Sequence, residues 1–276
     1  MSTLPDLNKP TPYIPPPSEA PRKLIPALPW TAPLRWLTRA SADLITHPGI
    51  GFFYGAAFTL MALVLQWVFA ASPEYTMSMA CGCLLLGPFL AMGLYEVSRC
   101  RELGQDTLWQ QSALCWRGHL KSMSMLLLVL VVLELLWGRA SLVVFAVFFN
   151  TGMPTTTSVV AAIFAPENWD FVLAYTVVGG AFAGIVYAVS VVAIPMILDR
   201  DTDAISASIV SLEVVFTNSG VMLLWGALIV ALIAAGLMMP WHAGLLVVGP
   251  LLGHASWHAY RANVVWLDDA PDVTVP

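Results

Sequence analysis

The stretch Leu84-Leu-Leu-Gly-Pro-Phe-Leu90, which runs on to Arg99, has a close echo later in the chain, and this echo decides the fold. The second copy is Leu246-Val-Val-Gly-Pro-Leu-Leu252, which runs on to Arg261. In both copies the proline and the arginine are eleven residues apart. A Gly-Pro pair inside a long apolar run kinks a helix at that point. The echo therefore predicts a kinked helical element that occurs more than once.

The composition indicates a membrane protein. Hydrophobic residues make up 58% of the 276 residues and charged residues only 11%, and the mean hydropathy is +0.77. An average soluble domain has about 25% charged residues, so this composition cannot cover a water-exposed surface. Six stretches have roughly the 20 apolar residues that cross a hydrocarbon layer of about 30 Å. They are residues 50–71, 77–98, 123–149, 171–198, 220–240 and 243–260. We therefore expect an all-α integral membrane protein with six transmembrane helices.

A short amphipathic stretch precedes each pair of spans and groups them into three helical hairpins. The three units cover residues 34–98, 106–198 and 202–260. Within the short stretches, apolar side chains recur at helical spacing, which is typical of a helix in the membrane interface. The residues on these faces are Leu34, Leu37, Ser41, Leu44 and Ile45 in the first stretch, Trp109, Ala113, Trp116 and Leu120 in the second, and Ile205, Ile209, Leu212 and Phe216 in the third. Stretches of about twelve residues are too short to be helical alone in water, so we expect a structural collar packed at the cytoplasmic face, with a membrane-surface sensor as the alternative.

The positive charges predict the orientation. Eleven of the twelve Lys and Arg residues lie in the N-terminal tail, in the 99–122 loop, or at Arg200 and Arg261, and the three intervening loops have none. Since positively charged loops stay in the cytoplasm, both termini and the amphipathic stretches are expected there. Residues 1–33 contain no apolar run of the length of a signal peptide. The predicted location is the bacterial inner membrane.

The two ends of the chain differ from the middle. Residues 1–33 contain ten prolines, which prevent a helix and favour an extended backbone. This region is either a disordered tail or a strap along a partner subunit, with Tyr13, Ile14 and Trp30 as anchors. Residues 34–261 form the predicted membrane domain, and residues 262–276 form a short acidic cytoplasmic tail.

The few polar groups within the predicted spans mark where function is expected. The third span contains Glu134 near mid-membrane and Arg139 nearer the outer interface, and Glu96 lies near the cytoplasmic end of the second. A charge at the bilayer centre costs about 2.5–3.5 kcal/mol. Glu134 is therefore expected to act in a proton or ion relay, to be hydrogen-bonded inside the bundle, or to pair with a cation of a partner chain.

Helix kinks are predicted at Pro88, Pro195 and Pro250. Each kink frees backbone carbonyls that neighbouring helices, water or a substrate must satisfy. Pro195 has no arginine eleven residues later, so the middle unit lacks the proline–arginine spacing of the other two units.

Two histidines, His254 and His258, lie four residues apart and therefore on one helical face. This spacing suits a shared metal ion or contacts beside a haem. However, zinc needs three or four ligands and no third one is identifiable, so a structural role near the helix end is the alternative. The run Asp199-Arg-Asp-Thr-Asp203 has the spacing that opens a calcium loop, but it lacks the glycine and the final glutamate of that loop. Neither a metal nor a cofactor is predicted.

Three stretches carry a resemblance to a known family: Gly87-Pro88 through Glu96, Ile194-Pro195 through Asp201, and Gly249-Pro250 through Arg261. Across residues 34–261 the chain resembles an uncharacterised family of integral inner-membrane proteins that is common in proteobacteria and is defined only as a domain of unknown function. Some members of that family are loosely labelled as cytochrome oxidase subunits. A catalytic oxidase subunit would need more spans and several haem and copper histidines. The resemblance therefore implies a membrane architecture without an assigned activity.

Three functions stay open. The first is a non-catalytic accessory subunit or assembly factor of a larger inner-membrane complex of the respiratory, cytochrome oxidase type, which fits the proline-rich strap. The second is a small-solute transporter or channel that uses the kinked spans and Glu134. The third is a haem- or metal-binding membrane protein that uses His254 and His258. We expect lipids and partner subunits as the binding partners and no nucleic acid. No phosphate-binding loop, Ser-His-Asp pattern or clustered acid pair indicates an enzyme.

Overall fold

The computed structural model describes residues 23–72, 75–148 and 168–266. The helices in chain order are α1 (Ala32–Thr46), α2 (Pro48–Ala71), α3 (Thr76–Glu102), α4 (Trp109–Leu114), α5 (Leu120–Phe148), α6 (Trp169–Ser190), α7 (Ala193–Arg200), α8 (Ala204–Thr217), α9 (Ser219–Met238) and α10 (Leu245–Asn263). Short 3₁₀ turns lie at Cys115–His119 and Pro240–His242. The two-residue strands β1 (Lys23–Leu24) and β2 (Val265–Trp266) pair antiparallel, with Lys23 opposite Trp266. The two ends of the described chain therefore meet.

Helices occupy all six stretches that the sequence predicts as spans. Within the described ranges, four segments are long and apolar enough to cross a membrane, namely Pro48–Ala71, Trp109–Phe148, Trp169–Arg200 and Ser219–Met238. The helices α3 and α10 are not among these four. In α10 the second half carries polar side chains that the bundle buries, such as His254 and Tyr260. The architecture agrees with the predicted all-α membrane class.

The helix α10 lies inside the bundle and packs against α1, α2, α3 and α9. Its approach to α2 is so close that a Cβ atom at Gly55 would lie 2.1 Å from the carbonyl oxygen of Leu246, a contact that only glycine permits. In the same core, the rings of Trp36 on α1 and Trp225 on α9 meet edge-on, with centroids 5.4 Å apart. The close backbone contact between α2 and α10 therefore depends on the glycine at position 55.

The short helices α1 and α8 each expose some large apolar side chains on the side that faces away from the bundle. On α1 the predicted apolar face is divided: Leu34 is 60% exposed and Ile45 is 77% exposed, whereas Leu37 packs against the core. The buried stripe on α1 is instead Trp36, Ala40 and Asp43. On α8 the outward residues are Ile205, Ile209 and Phe216, and the buried ones are small or β-branched, such as Ala207, Val210 and Val214. Both helices thus have an apolar side available to lipid and a second side that packs against the bundle.

The second predicted amphipathic helix is broken. The expected helix over 109–120 divides into α4, which ends at Leu114, and a 3₁₀ turn over Cys115–His119. Trp109 is about half exposed, and the residue that α4 buries is Ser112. Ser112 donates to the carbonyl of Gly93 at 2.9 Å and contacts the hydroxyl of Tyr54 at 3.0 Å. A polar contact, which apolar periodicity does not reveal, therefore positions this segment.

The three prolines lie at different kinds of site. Pro88 and Pro250 lie inside α3 and α10, and both helices continue past them. Pro195 follows an interruption between α6 and α7. At this interruption the backbone N–H of Val192 donates to Oγ of Ser211 on α8 at 3.2 Å, so a neighbouring helix satisfies a donor that the broken helix leaves free.

The segment before α1 packs on the bundle from Lys23 onward. Asn218, between α8 and α9, accepts from the backbone N–H of Leu28 at 3.1 Å and donates to the carbonyl of Pro26 at 3.0 Å. The ring of Trp30 lies against Gly220, where an added Cβ atom would come within 2.5 Å of it. Tyr13 and Ile14, the other two predicted anchors of the tail, lie outside the described residues.

Candidate functional site

Charged and polar side chains converge at one end of the bundle, where α3, α7 and α10 finish and α1 crosses them. We call this the arginine-rich end, after its five arginines Arg39, Arg99, Arg101, Arg200 and Arg261. Four carboxylates face these arginines, from Asp43, Glu96, Glu102 and Asp199. The helices bring the arginines of the sequence echo to the same end.

Asp43 is the most buried carboxylate of the cluster, with 2% of its surface exposed. Its position on α1, three residues after Ala40 and seven after Trp36, places it on the packed stripe of that helix. It accepts hydrogen bonds from Ser98 Oγ at 2.6 Å, from His258 Nε2 at 2.8 Å, and from Arg101. Burial alone would raise the pKa of Asp43, but the bonds from His258, Ser98 and Arg101 lower this pKa to about 2. Asp43 is therefore an ionised carboxylate that ties α1 to α3 and α10.

The two histidines that the sequence singles out both contact this cluster. His258 binds Asp43, and His254 Nδ1 lies 2.8 Å from Ser98 Oγ. His254 is 1% exposed. Across the described ranges, no group of three or more His, Cys, Asp or Glu side chains is arranged to hold a metal ion. The geometry gives each histidine a partner within the protein.

The carboxylate of Asp199, at the end of α7, contacts both arginines of the sequence echo. Arg99 Nε lies 3.7 Å from one carboxylate oxygen of Asp199, and Arg261 Nη1 lies 3.6 Å from the other. Tyr260 donates its hydroxyl to the same carboxylate at 2.7 Å, and Arg200 Nε approaches it at 3.4 Å. The two arginines, 162 positions apart in the chain, thus share one counter-ion from the middle of the sequence.

Two glutamates of α3 complete the network. Glu102 accepts from Trp257 Nε1 at 3.0 Å and from Arg261 Nε at 3.1 Å. Glu96, predicted as an intramembrane polar residue, is buried and accepts from Nε2 of Gln111 on α4 at 2.8 Å and from Arg99 at 3.3 Å. Glu96 therefore holds the broken segment α4 against α3.

Two clefts open between these side chains. The larger, of about 330 Å³, lies between α1, α3 and α10. Its lining consists of Arg39, Ala42, Asp43, Ser98, Arg101, Glu102, His258 and Arg261. A neighbouring cleft of about 220 Å³ lies between α3, α7 and α10, where Arg99, Arg200 and Trp257 join Glu102 and Arg261. Chemically, this end of the molecule combines fixed anions with guanidinium groups that border open space.

Glu134 and Arg139 lie on α5, apart from this network. Glu134 continues the stripe of Met123, Leu127 and Leu130, which is buried, but Glu134 itself is only half-buried. Beyond Leu130, no described residue of α5 is buried. No ion pair or hydrogen bond involves the side chain of Glu134 or Arg139 within the described residues.

Sequence reasoning identified His254, His258 and Glu96 but missed their partners. Asp43 could have been found, because it shares the i, i+4, i+7 face of Trp36 and Ala40. The role of Asp199 follows from chain topology, and no local pattern indicates it.

Comparison with known proteins agrees with the membrane architecture. Residues 75–199 match the model of a family described as "Predicted integral membrane protein (DUF2189)". This match covers somewhat less than half of the chain, from the start of α3 to Asp199. No curated protein and no solved structure gives a match. The apolar helices and this similarity together support an integral membrane protein that resembles an uncharacterised membrane family.

Proposed function

We propose that this chain is a non-catalytic accessory or assembly subunit of a larger complex in the bacterial inner membrane. In this proposal the chain has six spans arranged as three hairpins, and the arginine-rich end and both termini face the cytoplasm. The observation that carries the proposal is the half-buried carboxylate of Glu134, which has no ion pair within the described residues.

The physical argument starts from the cost of a charge in lipid. A carboxylate near the bilayer centre costs about 2.5–3.5 kcal/mol unless a neighbour pairs with it. Glu134 lies one turn beyond Leu130, which is the last buried residue of α5 within the described part of the chain. A helix of another subunit that offers a cation or a hydrogen-bond donor at this depth would remove the cost. The large exposed side chains around it, such as Leu135 and Leu136, suit either lipid or such a helix.

A second feature of the same hairpin supports contact with a helix. The helix α6 contains the run Gly180-Ala-Phe-Ala-Gly184, which is the small-residue spacing that lets two transmembrane helices approach closely. Both glycines are exposed, and an added Cβ atom at either would meet no described atom within 4 Å. The glycines therefore leave space on the surface of α6 that no described residue of this chain fills.

The alternative of a transporter has less support. A transport path needs polar side chains from several spans around one cavity near mid-membrane. A cavity of about 360 Å³ between α2, α3, α9 and α10 is lined mostly by apolar groups, with Tyr95 and Ser256 as its polar side chains. Glu134 lines neither this cavity nor the two clefts described above. The haem alternative has less support as well, because Ser98 and Asp43 engage His254 and His258.

The resemblance to a family with members labelled as oxidase subunits makes a respiratory oxidase the first partner complex to test. The proline-rich tail, with Tyr13, Ile14 and Trp30, is the second proposed contact with that complex, besides the α5–α6 hairpin.

Site-specific photo-crosslinking in native membranes tests the proposal. We expect a photoreactive residue at Gly184 to form an adduct with one membrane protein, to be identified by mass spectrometry. The same residue at Leu223 on α9, which is 69% exposed, should react with lipid only. Lipid adducts alone at both positions would overturn the proposal, and an adduct with a second copy of this chain would replace the complex with a homo-oligomer.

A further inference from the structure

We propose that the larger cleft of the arginine-rich end is a binding site for a negatively charged phosphate group, with Arg39 as its unpaired contact. The site is separate from the α5–α6 hairpin, so this inference does not depend on the proposed subunit role. We call it the anion cleft.

The charges of the cleft are unbalanced. Its lining includes three guanidinium groups, of Arg39, Arg101 and Arg261, and two carboxylates. Asp43 pairs with Arg101, and Glu102 pairs with Arg261. Within the part of the chain that the structure describes, Arg39 pairs with no carboxylate. One positive charge therefore remains at the cleft, and an anionic ligand would neutralise it.

The paired arginines still have donors to offer. A guanidinium group carries five N–H donors in a rigid plane. Arg101 reaches Asp43 through Nη1, and Arg261 uses Nε and Nη1 for its carboxylate partners. The remaining donors are held in place by these ion pairs, so a phosphate would meet groups that are already oriented. Arginine is the side chain that best matches phosphate geometry.

The position of the cleft on α1 is compatible with the phosphate of a lipid headgroup. One wall of the cleft is α1, which also exposes Leu34 and Ile45 on its outer surface. A helix with an apolar outer face and cations near its inner face is typical of the membrane interface, which is the depth of lipid phosphates. The volume of about 330 Å³ exceeds that of a bare phosphate and leaves room for part of a headgroup. The shared chemistry is a phosphate with net negative charge, carried by an anionic phospholipid or by a soluble phosphate.

Lipid titration of the purified full-length protein tests the inference. Phosphatidylglycerol, phosphatidylcholine and inorganic phosphate are added separately, and binding is followed by native mass spectrometry and by thermal unfolding. We expect phosphatidylglycerol to bind and to raise the unfolding temperature, and phosphatidylcholine to do so far more weakly. Stabilisation by inorganic phosphate to the same extent would support the anion cleft with a soluble ligand as its source.

Two arginines of α1 provide the decisive variant and its matched control. Arg39→Gln should weaken phosphatidylglycerol binding about tenfold, the effect of one charge-assisted hydrogen bond. Arg35→Gln removes the same charge one turn earlier. The side chain of Arg35 is exposed, does not line the cleft and donates to Thr31 at 3.1 Å, so this variant should leave binding within about twofold of wild type. Equal affinities of wild type and Arg39→Gln, or the absence of any response to all three ligands, would overturn the inference.

Discussion

At the scale of single residues, the network around Asp43 joins helices that are distant in the sequence. His258, its partner on α10, is 215 positions away. The helical spacing of His254 and His258 predicts that they share a face, and both reach the same cluster in the structure. The periodicity of α1 places Asp43 on its packed face, but it does not predict that this carboxylate meets the two histidines of α10, because periodicity describes one helix at a time. A buried ion pair is costly to break from one side, since the other charge is left unpaired.

The lowered pKa of Asp43 makes stability depend on pH at the acid end. The folded-state pKa of about 2 lies below the ordinary value of 3.8, so the ionised carboxylate stabilises the fold above about pH 4. This contribution, about 2 kcal/mol, is lost as the pH falls from about 4 towards 2. The unfolding temperature of the wild-type protein in detergent, measured between about pH 6 and about pH 2, should show this loss of stability.

The variant Asp43→Asn should be less stable at neutral pH and should lack this component of the acid response. Asp106→Asn, in the exposed segment before α4, is the control for a simple change of net charge and should behave like wild type. If Asp43→Asn and wild type lose stability in parallel over this pH range, Asp43 does not have the proposed role.

At the scale of helices, apolar periodicity predicts amphipathic character but leaves the packed side undecided. Leu34 and Ile45 lie on the predicted apolar side of α1, and the structure exposes both of them. The packed side is defined by Trp36 and by the buried Asp43. In a membrane protein, both sides of an interfacial helix can be partly apolar, because apolar side chains that are unfavourable in water are favourable in lipid. Hydropathy alone therefore cannot orient such a helix.

The glycines of α6 give a prediction at this scale. Gly180→Ile places a branched side chain where the described part of this chain has no atom nearby. We expect the protein to fold and insert normally but to lose most of its association with a partner helix, because the close approach is blocked. Retention of the partner is to be measured by co-purification in mild detergent.

Gly82→Ile on α3 is the matched control, since an added Cβ atom at Gly82 also meets nothing within 4 Å. This variant should keep the partner. If both glycine variants retain it equally, the glycine face of α6 is not the contact.

At the scale of the whole molecule, composition and the lengths of the apolar runs predict the all-α membrane class. The six predicted spans fall on helices, the fourth of them on two, α6 and α7, because runs of about 20 apolar residues have few alternatives to a helix in lipid. Four of them qualify by length and apolarity within the described residues, and α10 lies inside the bundle. The convergence of Arg99 and Arg261 on Asp199 was not predictable, since it depends on how the units pack together.

Purification of the tagged chain from native membranes in mild detergent, followed by native mass spectrometry, tests the subunit role most directly. We predict that the wild-type chain co-purifies with a membrane protein partner in a fixed ratio. The variant Glu134→Leu, which removes the intramembrane carboxylate and suits lipid, should be recovered in the same amount but without the partner. A wild-type chain that migrates alone, with the same mass as Glu134→Leu, would contradict the proposal.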